Sequence, residues 1–245
     1  MPQAKLNVKL LSHTPSTERL AAMGAKLCYS PSSIDDISGA MSDEDAASFI
    51  EKIVDIGHLS TIEHASFSFG IEGVSRTLLA QITRHRIASF SVQSQRYVSY
   101  REGFGYVVPP SIRALGSEAV NKFVDQMQTM QTWYEDWQSA LGETGEKANQ
   151  DARFVLPGAC ETKMILTMNA RELGHFFALR CCNRAQWEIR ALAWRMLALV
   201  SEAAPALFNS AGPSCVRGRC SEGSKTCGKA NQIKQKQQRL LKGKV

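Results

Sequence analysis

Apolar and polar residues alternate through HASFSFGI, with Ala65, Phe67, Phe69 and Ile71 on one face and His64, Ser66, Ser68 and Gly70 on the other. That period of two predicts a half-buried strand. The period then lengthens: Val74, Leu78 and Ile82 recur at helical spacing, so a helix should follow the strand and end near Arg84. Upstream, KLNVKLL (5–11) reads as a short strand, and Ser16 or Thr17 can cap a helix reaching about Tyr29. SPSSIDDISG reads as a loop. Ser42 and Asp45 make a capping-box-like start for a helix with Phe49, Ile50, Ile53 and Val54 on one face and Gly57 as its stop.

Downstream the helical period dominates. Val120, Phe123, Val124, Met127, Met130, Tyr134, Trp137 and Leu141 mark the apolar side of a long helix over 117–141, stopped by Gly142. Further helices are expected over 144–155, 170–180 and 184–203, with KMILTM (163–168) as a strand between them. Runs of helix with a few strands predict an α+β fold: a helix-rich single domain with a small, mostly antiparallel sheet. After Pro213 the composition turns to Gly, Ser, Lys and Gln, which predicts a flexible C-terminal tail, or a helix that forms only on contact.

Charge changes this picture only at the tail. The 245 residues carry 29 Lys and Arg against 23 Asp and Glu. Residues 212–245 hold nine of those bases and one acid, leaving 20 bases and 22 acids in residues 1–211. A near-neutral body has no general polyanion field, so nucleic acid is not the expected partner and any bound anion should be small and locally held. No run approaches the roughly 20 apolar residues of a membrane span. The start MPQAKLNVKLLSH lacks the apolar core of a secretory signal. Seven cysteines, an odd number, fit reduced thiols, so a cytoplasmic protein is expected.

Between Glu72 and Glu102 the charged side chains are Arg76, Arg84, Arg86, Arg96 and Arg101, without a lysine or carboxylate. Arginine's planar fork binds phosphate or carboxylate bidentately, so this choice points to oriented recognition of a defined anion. Gln81 and Arg84 share a helix face, and Ser89, Ser91 and Ser94 add hydroxyls. Unpaired arginines this close repel one another unless an anion or distant carboxylates offset them. A second set follows: Arg153, Asn169, Arg171, His175 and Arg180. Arg171 and His175 lie four apart on a helix, and Arg180 falls at its C-terminal end, where the helix dipole alone also favours a cation.

RHRIASFSVQSQR (84–96) satisfies the RHRxxSxxxxSxR pattern and resembles the flavin-dependent thymidylate synthases. GHLSTIEHASFSF, ARFVLP and NARELGHFFALRCCNRAQWEIR resemble further segments of that family in the same order, over about residues 5–211. The resemblance implies a domain of that family over 1–211 and a basic, Cys-containing extension over 212–245. It implies a homotetramer, with sites shared between subunits, that methylates dUMP to dTMP with 5,10-methylenetetrahydrofolate as carbon donor, FAD as redox carrier and NADPH as reductant. Arg84, His85, Arg86, Ser60, Asn169, Arg171 and His175 would line FAD, with His58 and the backbone of Val92 beside it. Gln81, Arg84, Ser94, Gln95, Arg96 and Arg153 would surround dUMP. Arg180 would be the catalytic group, a cation that stabilises an anionic pyrimidine.

The sequence departs from that pattern at Ser91, Val92 and His175, positions where the family often carries amide or acidic side chains. Ser94 is a tempting nucleophile, but no His/Asp partner follows from the sequence, so it is assigned to binding. Cys160, Cys181 and Cys182 read as packing thiols. Cys215, Cys220 and Cys227 lack the spacing of paired CxxC knuckles, so no metal is expected. The competing readings are another nucleotide-binding flavoenzyme and a nucleic-acid-binding protein that uses the arginines and the tail.

Overall fold

The computed structural model describes residues 1–142 and 145–243. Four strands, β1 (Asn7–His13), β2 (Ser66–Ser75), β3 (Ser89–Val92) and β4 (Glu161–Asn169), form one antiparallel sheet in the order β1-β2-β4-β3. Helices make up most of the remainder, as the α+β reading expected. Phe67, Phe69 and Ile71 of β2 are fully buried, which is the alternation the sequence displays. Gly73, within β2, has φ +70° and sits where a Cβ would collide with the Lys5 carbonyl. Glycine is required there on both counts.

The chain divides into two compact units. The first comprises residues 1–7, 70–84 and 90–165. It contains α4 (Arg76–Ile82), α5 (Pro110–Ala114), α6 (Ser117–Ala140) and α7 (Glu146–Ala152), the last continued by a 3-10 turn over Arg153–Val155. The expected start of that helix at Thr144 lies outside the described residues. The face α6 buries is not the purely apolar one expected: Met127, Gln131, Tyr134 and Gln138 are buried, while Trp137 is half exposed. Hydrogen bonds explain the exchange. Gln131 Nε2 donates to the Tyr100 carbonyl at 2.8 Å, and Gln138 Nε2 and Tyr134 OH both donate to Asn149 Oδ1. Buried amides are retained where such partners exist. Burial pushes the Tyr100 phenol up to about 12 and the Cys160 thiol likewise to about 12.

The second unit comprises 8–69, 85–89 and 166–245. It contains α1 (Thr17–Leu27), α2 (Ile34–Ala40), α3 (Asp43–Asp55), a 3-10 turn (Leu59–His64), α8 (Ala170–Arg180), α9 (Trp187–Ala203), α10 (Pro205–Phe208), α11 (Ser214–Arg217) and α12 (Ala230–Leu241). Its aromatic centre joins Phe67, Phe177 and Phe208 in edge-on pairs 5.4 and 6.0 Å apart, each worth about 0.5–1.5 kcal/mol beyond burial. Helix α2 occupies the segment read as a loop: Ser33 Oγ accepts from Asp36 N, and Asp36 accepts from Ser33 N, a reciprocal cap. Ser16 precedes α1 at φ 45° without a side-chain cap. The Ser42 cap of α3 forms as expected.

The tail takes the second of the two forms expected, a helix in contact with the body, rather than a segment flexible throughout. Helix α12 buries Ile233, Gln237 and Leu240, Lys236 lies over the Trp194 ring of α9 at 4.4 Å, and Arg184 pairs with Glu222 at 3.0 Å. Positions 233, 237 and 240, spaced four and three apart, give α12 one face to bury despite its polar composition, with Gln237 Nε2 donating to the Asn209 carbonyl at 2.7 Å. The Cys215 thiol is raised, first by burial and then by the neighbouring Cys220, Cys182 and Cys227. Among the described residues, no helix is long and apolar enough to cross a membrane.

Candidate active site

In the second unit, a pocket of about 680 Å³ opens beside the start of α8. Its apolar wall is Val54, Leu59, Ile62, Ile87 and Leu207, and its polar wall includes Asn169, Arg171, His175 and Arg217. This volume lies within the range of small-molecule and cofactor sites, and a mostly apolar wall with a few polar groups is their usual lining. Asn169 caps α8: its Oδ1 accepts from Glu172 N at 2.9 Å. The cap leaves the Nδ2 amide available. It also sets Asn169, Ala170, Arg171 and Glu172 around the helix N-terminus, where the dipole favours an anionic ligand. Arg171 and Glu63 form an exposed ion pair at 2.5 Å across the pocket wall. Such a pair contributes little stability and can reorganise around a ligand.

Behind this wall runs a hydrogen-bonded chain. Arg180 Nε donates to His85 Nε2 at 3.1 Å, and His85 Nδ1 lies 3.0 Å from Glu172 Oε1. Since Nε2 accepts, Nδ1 carries the proton and donates to the carboxylate, so His85 is neutral. Its pKa is lowered, with burial the largest cause; the Glu172 hydrogen bond opposes the shift and the Arg180 charge adds to it. Phe176 packs edge-on against the imidazole at 4.9 Å and His175 at 6.1 Å. Glu172, absent from the candidates read in the sequence, therefore connects the pocket to Arg180. Its signal was only a lone acid in the first turn of a helix.

The remaining candidates in this unit lie elsewhere. His58 pairs with Tyr29, OH to Nδ1 at 3.1 Å. Ser60 sits exposed on the 3-10 turn that sends Leu59, Ile62 and Glu63 to the pocket. Arg86 is exposed, and buried His85 is not among the described residues that line the cavity. Gly212, Ser214 and Arg217, all from the tail, do line it. Arg217 is steadied by its Nε bond to the Ser210 carbonyl at 2.8 Å.

The first unit holds Gln81, Arg84, Val92, Ser94, Gln95, Arg96 and Arg153. Ser94 Oγ accepts from Arg96 N at 3.1 Å, a turn-forming role, and Gln95 is buried against Cys160 with Nε2 3.6 Å from its sulfur. Arg96 pairs with Glu146 of α7 at 2.9 Å, also bonds the Tyr97 hydroxyl, and has its carbonyl held by Asn149. Arg153 follows α7 directly, its Nε donating to the Gln150 carbonyl. Helix α7 thus fixes Arg96 and Arg153 together. Gln81 ends the last turn of α4 and is half-buried, Arg84 is exposed just beyond it, and Val92 ends β3 half-buried.

Residues 9–206 match the thymidylate synthase complementing protein family. The chain belongs to that family. It is an enzyme of the thymidylate synthase complementing group. Its relatives include the flavin-dependent thymidylate synthases of Geobacter sulfurreducens, 52% identical over 230 residues and covering 94% of this chain and 97% of that one, and of Clostridium tetani, 47% identical over 240 residues with 94% and 96% covered. Its fold is similar to that of a UMP/dUMP methylase, PolB, from Streptomyces cacaoi bound with 5-Br dUMP. That similarity has a TM-score of 0.72 at 21% identity, over 84% of this chain and 94% of the other. The family match stops before the tail, so Gly212, Ser214 and Arg217 extend the pocket beyond the matched residues.

Proposed function

We propose that the chain methylates dUMP reductively to dTMP, taking carbon from 5,10-methylenetetrahydrofolate and electrons from NADPH through FAD. The observation that carries this reading is the 680 Å³ pocket. Its apolar wall suits a planar ring system, and its helix N-terminus with Asn169, Arg171, His175 and Arg217 suits an anionic tail. The family relatives named flavin-dependent support flavin as the occupant. When bound there, FAD supplies the hydride chemistry, while the protein supplies position and field.

The roles of this chain's residues follow from their bonds. Glu172 fixes the His85 tautomer, and His85 orients the Arg180 guanidinium by its Nε edge. The guanidinium so held is assigned to the pyrimidine, where its positive charge would hold negative charge on the ring. Arg84, Arg86, Ser60, His58 and Val92 are assigned to FAD with the pocket residues. Gln81, Ser94, Gln95, Arg96 and Arg153 are assigned, with Arg84 and Arg180, to dUMP. Sharing these groups between subunits of a homotetramer would account for the exposure of Ser60, Arg84 and Arg86, and exposed Trp133, Trp137 and Phe154 offer apolar surface for such contacts. The domain reading stays as 1–211 with a basic extension over 212–245, and the compartment is the cytoplasm.

The test is isotope release from C5-labelled dUMP with FAD, NADPH and methylenetetrahydrofolate. Release by the wild type and its loss in Arg180→Ala is the expected result. A wild-type chain that binds FAD yet releases no label overturns the proposal.

A further inference from the structure

The tail cysteines were set aside as metal ligands because their spacing, C-x4-C-x6-C, is not that of paired knuckles. Three thiolates there still need a fourth ligand from elsewhere in the chain. The fold adds a fourth: Cys182, just beyond the end of α8, lines the same small cavity as Cys215, Cys220 and Cys227. The cavity is about 20 Å³, room for one atom-sized occupant. Glu222 also borders it, but its carboxylate is engaged by Arg184. Cys160 and Cys181 are set apart by place: each is a buried thiol that does not line this cavity.

We propose that Cys182, Cys215, Cys220 and Cys227 form a tetrathiolate site for a thiophilic divalent ion of the Zn²⁺ class, clamping the C-terminal segment to the end of α8. Four sulfur donors favour Zn²⁺ over the hard cations, which take oxygen. Among the described residues, no three His, Cys, Asp or Glu side chains already stand where they could hold an ion. Ligation therefore has to draw the sulfurs inward. Cys220 and Cys227 lie in irregular backbone and Cys215 in a four-residue helix, so little regular structure has to be disturbed when the sulfurs converge. Coupling of local folding to metal capture is the usual behaviour of such sites.

Two further features suit thiolates. Asn183 Nδ2 lies 3.7 Å from Cys227 Sγ. Donors of this kind orient coordinating thiolates. Arg217, Arg219, Lys225 and Lys229 interleave with the cysteines and offset the charge of −2 that four thiolates and one divalent ion leave. Each S–H gives its proton to solvent as its metal–sulfur bond forms, and no electron moves. Because Ser214 and Arg217 flank Cys215 and line the large pocket, the clamp also holds that wall. The metal proposal itself does not depend on flavin.

The reduced full-length chain, stripped with a chelator, is titrated with Co²⁺. A thiolate-to-metal charge-transfer band saturating at one ion per chain is expected. Cys220→Ser should weaken it at least tenfold, while Cys28→Ser, an exposed thiol elsewhere, should leave it unchanged. Because Cys220→Ser could unfold the tail, wild type is also alkylated with and without Zn²⁺ and mapped by mass spectrometry. Joint protection of the four cysteines, with Cys28 reacting in both samples, supports the site. Absence of the band, identical alkylation with and without Zn²⁺, or disulfides among the four in the protein purified without reductant overturns it.

Discussion

Glu172→Ala removes the acceptor that decides which nitrogen of His85 carries its proton. Both side chains are nearly out of solvent, at 4% and 9% exposure, so water cannot replace the lost partner. An unsatisfied buried N–H costs about 1–3 kcal/mol, which in a chain of this size lowers the melting temperature by about 2–12 °C. Glu172→Gln is the control: its carbonyl still accepts from Nδ1–H, and the loss is confined to the charge-assisted part of the bond. The cap of α8 survives in both, since Asn169 bonds the backbone of residue 172.

The same substitution reaches Arg180. Without Glu172 the imidazole can carry its proton on Nε2, and the Arg180 Nε–H then faces another donor rather than a lone pair. Losing that one hydrogen bond is worth about 0.5–1.5 kcal/mol, or a roughly twofold to tenfold fall in kcat if the guanidinium must be held for catalysis. The assay measures kcat and KM for dUMP against pH, with melting curves on the same samples. A purely structural role would lower the melting temperature and leave kcat and its pH profile alone. The relay is refuted if Gln is as damaging as Ala, or if Ala changes neither kcat nor melting.

Four further outcomes are expected. Burial lowers the His85 pKa, so the unfolded chain takes up this proton first, and stability should fall as pH drops below the ordinary histidine value of about 6.5; melting curves should show a steeper acid-side decline in wild type than in His85→Gln, and equal slopes would contradict this. Arg217→Ala should weaken FAD binding, read by flavin fluorescence, with dUMP affinity unchanged, whereas Arg219→Ala, which is not among the described pocket residues, should change neither. Asn169→Asp should keep the α8 cap but lose the Nδ2 donor, so it should bind flavin poorly at near-wild-type stability, while Asn169→Ala should also lose about 1 kcal/mol. Ser94→Ala should retain measurable turnover, because the hydroxyl is spent accepting from Arg96 N; complete loss with dUMP still bound would reopen a nucleophilic role.

Local signals were legible wherever one residue's neighbours in sequence decide its environment. The alternation in β2, the Ser42 cap and the helical period of α8 and α9 are of this kind. The motif beginning at Arg84 was legible because arginine without local acids is an unusual choice. Helix α2 was missed although its cap is equally local, since Ser and Asp serve both turns and N-caps and only the Ser33–Asp36 reciprocity separates them. The polar face of α6 was hidden for another reason: Gln131 and Gln138 are buried by partners at Tyr100 and Asn149 that helical periodicity does not report.

The structure divides the five arginines of residues 76–101 by the partners each one finds. Five arginines without a nearby acid implied anions from outside the chain, or carboxylates from far along it. Arg96 finds the second kind in Glu146, fifty residues on, and Arg76 spends its guanidinium on the Gln93 carbonyl and the Thr162 hydroxyl. Arg84 and Arg86 are left exposed, with no ion pair among the described residues. Between them, His85 is pulled inward onto Glu172 and Arg180. A buried middle residue forces its two neighbours outward, so the anchor that orients Arg180 also presents a pair of free guanidinium groups. The demand for an external anion therefore falls on these two positions, and charge reversal at either should weaken phosphate-bearing ligands far more than charge reversal at Arg96, whose carboxylate partner is already in place.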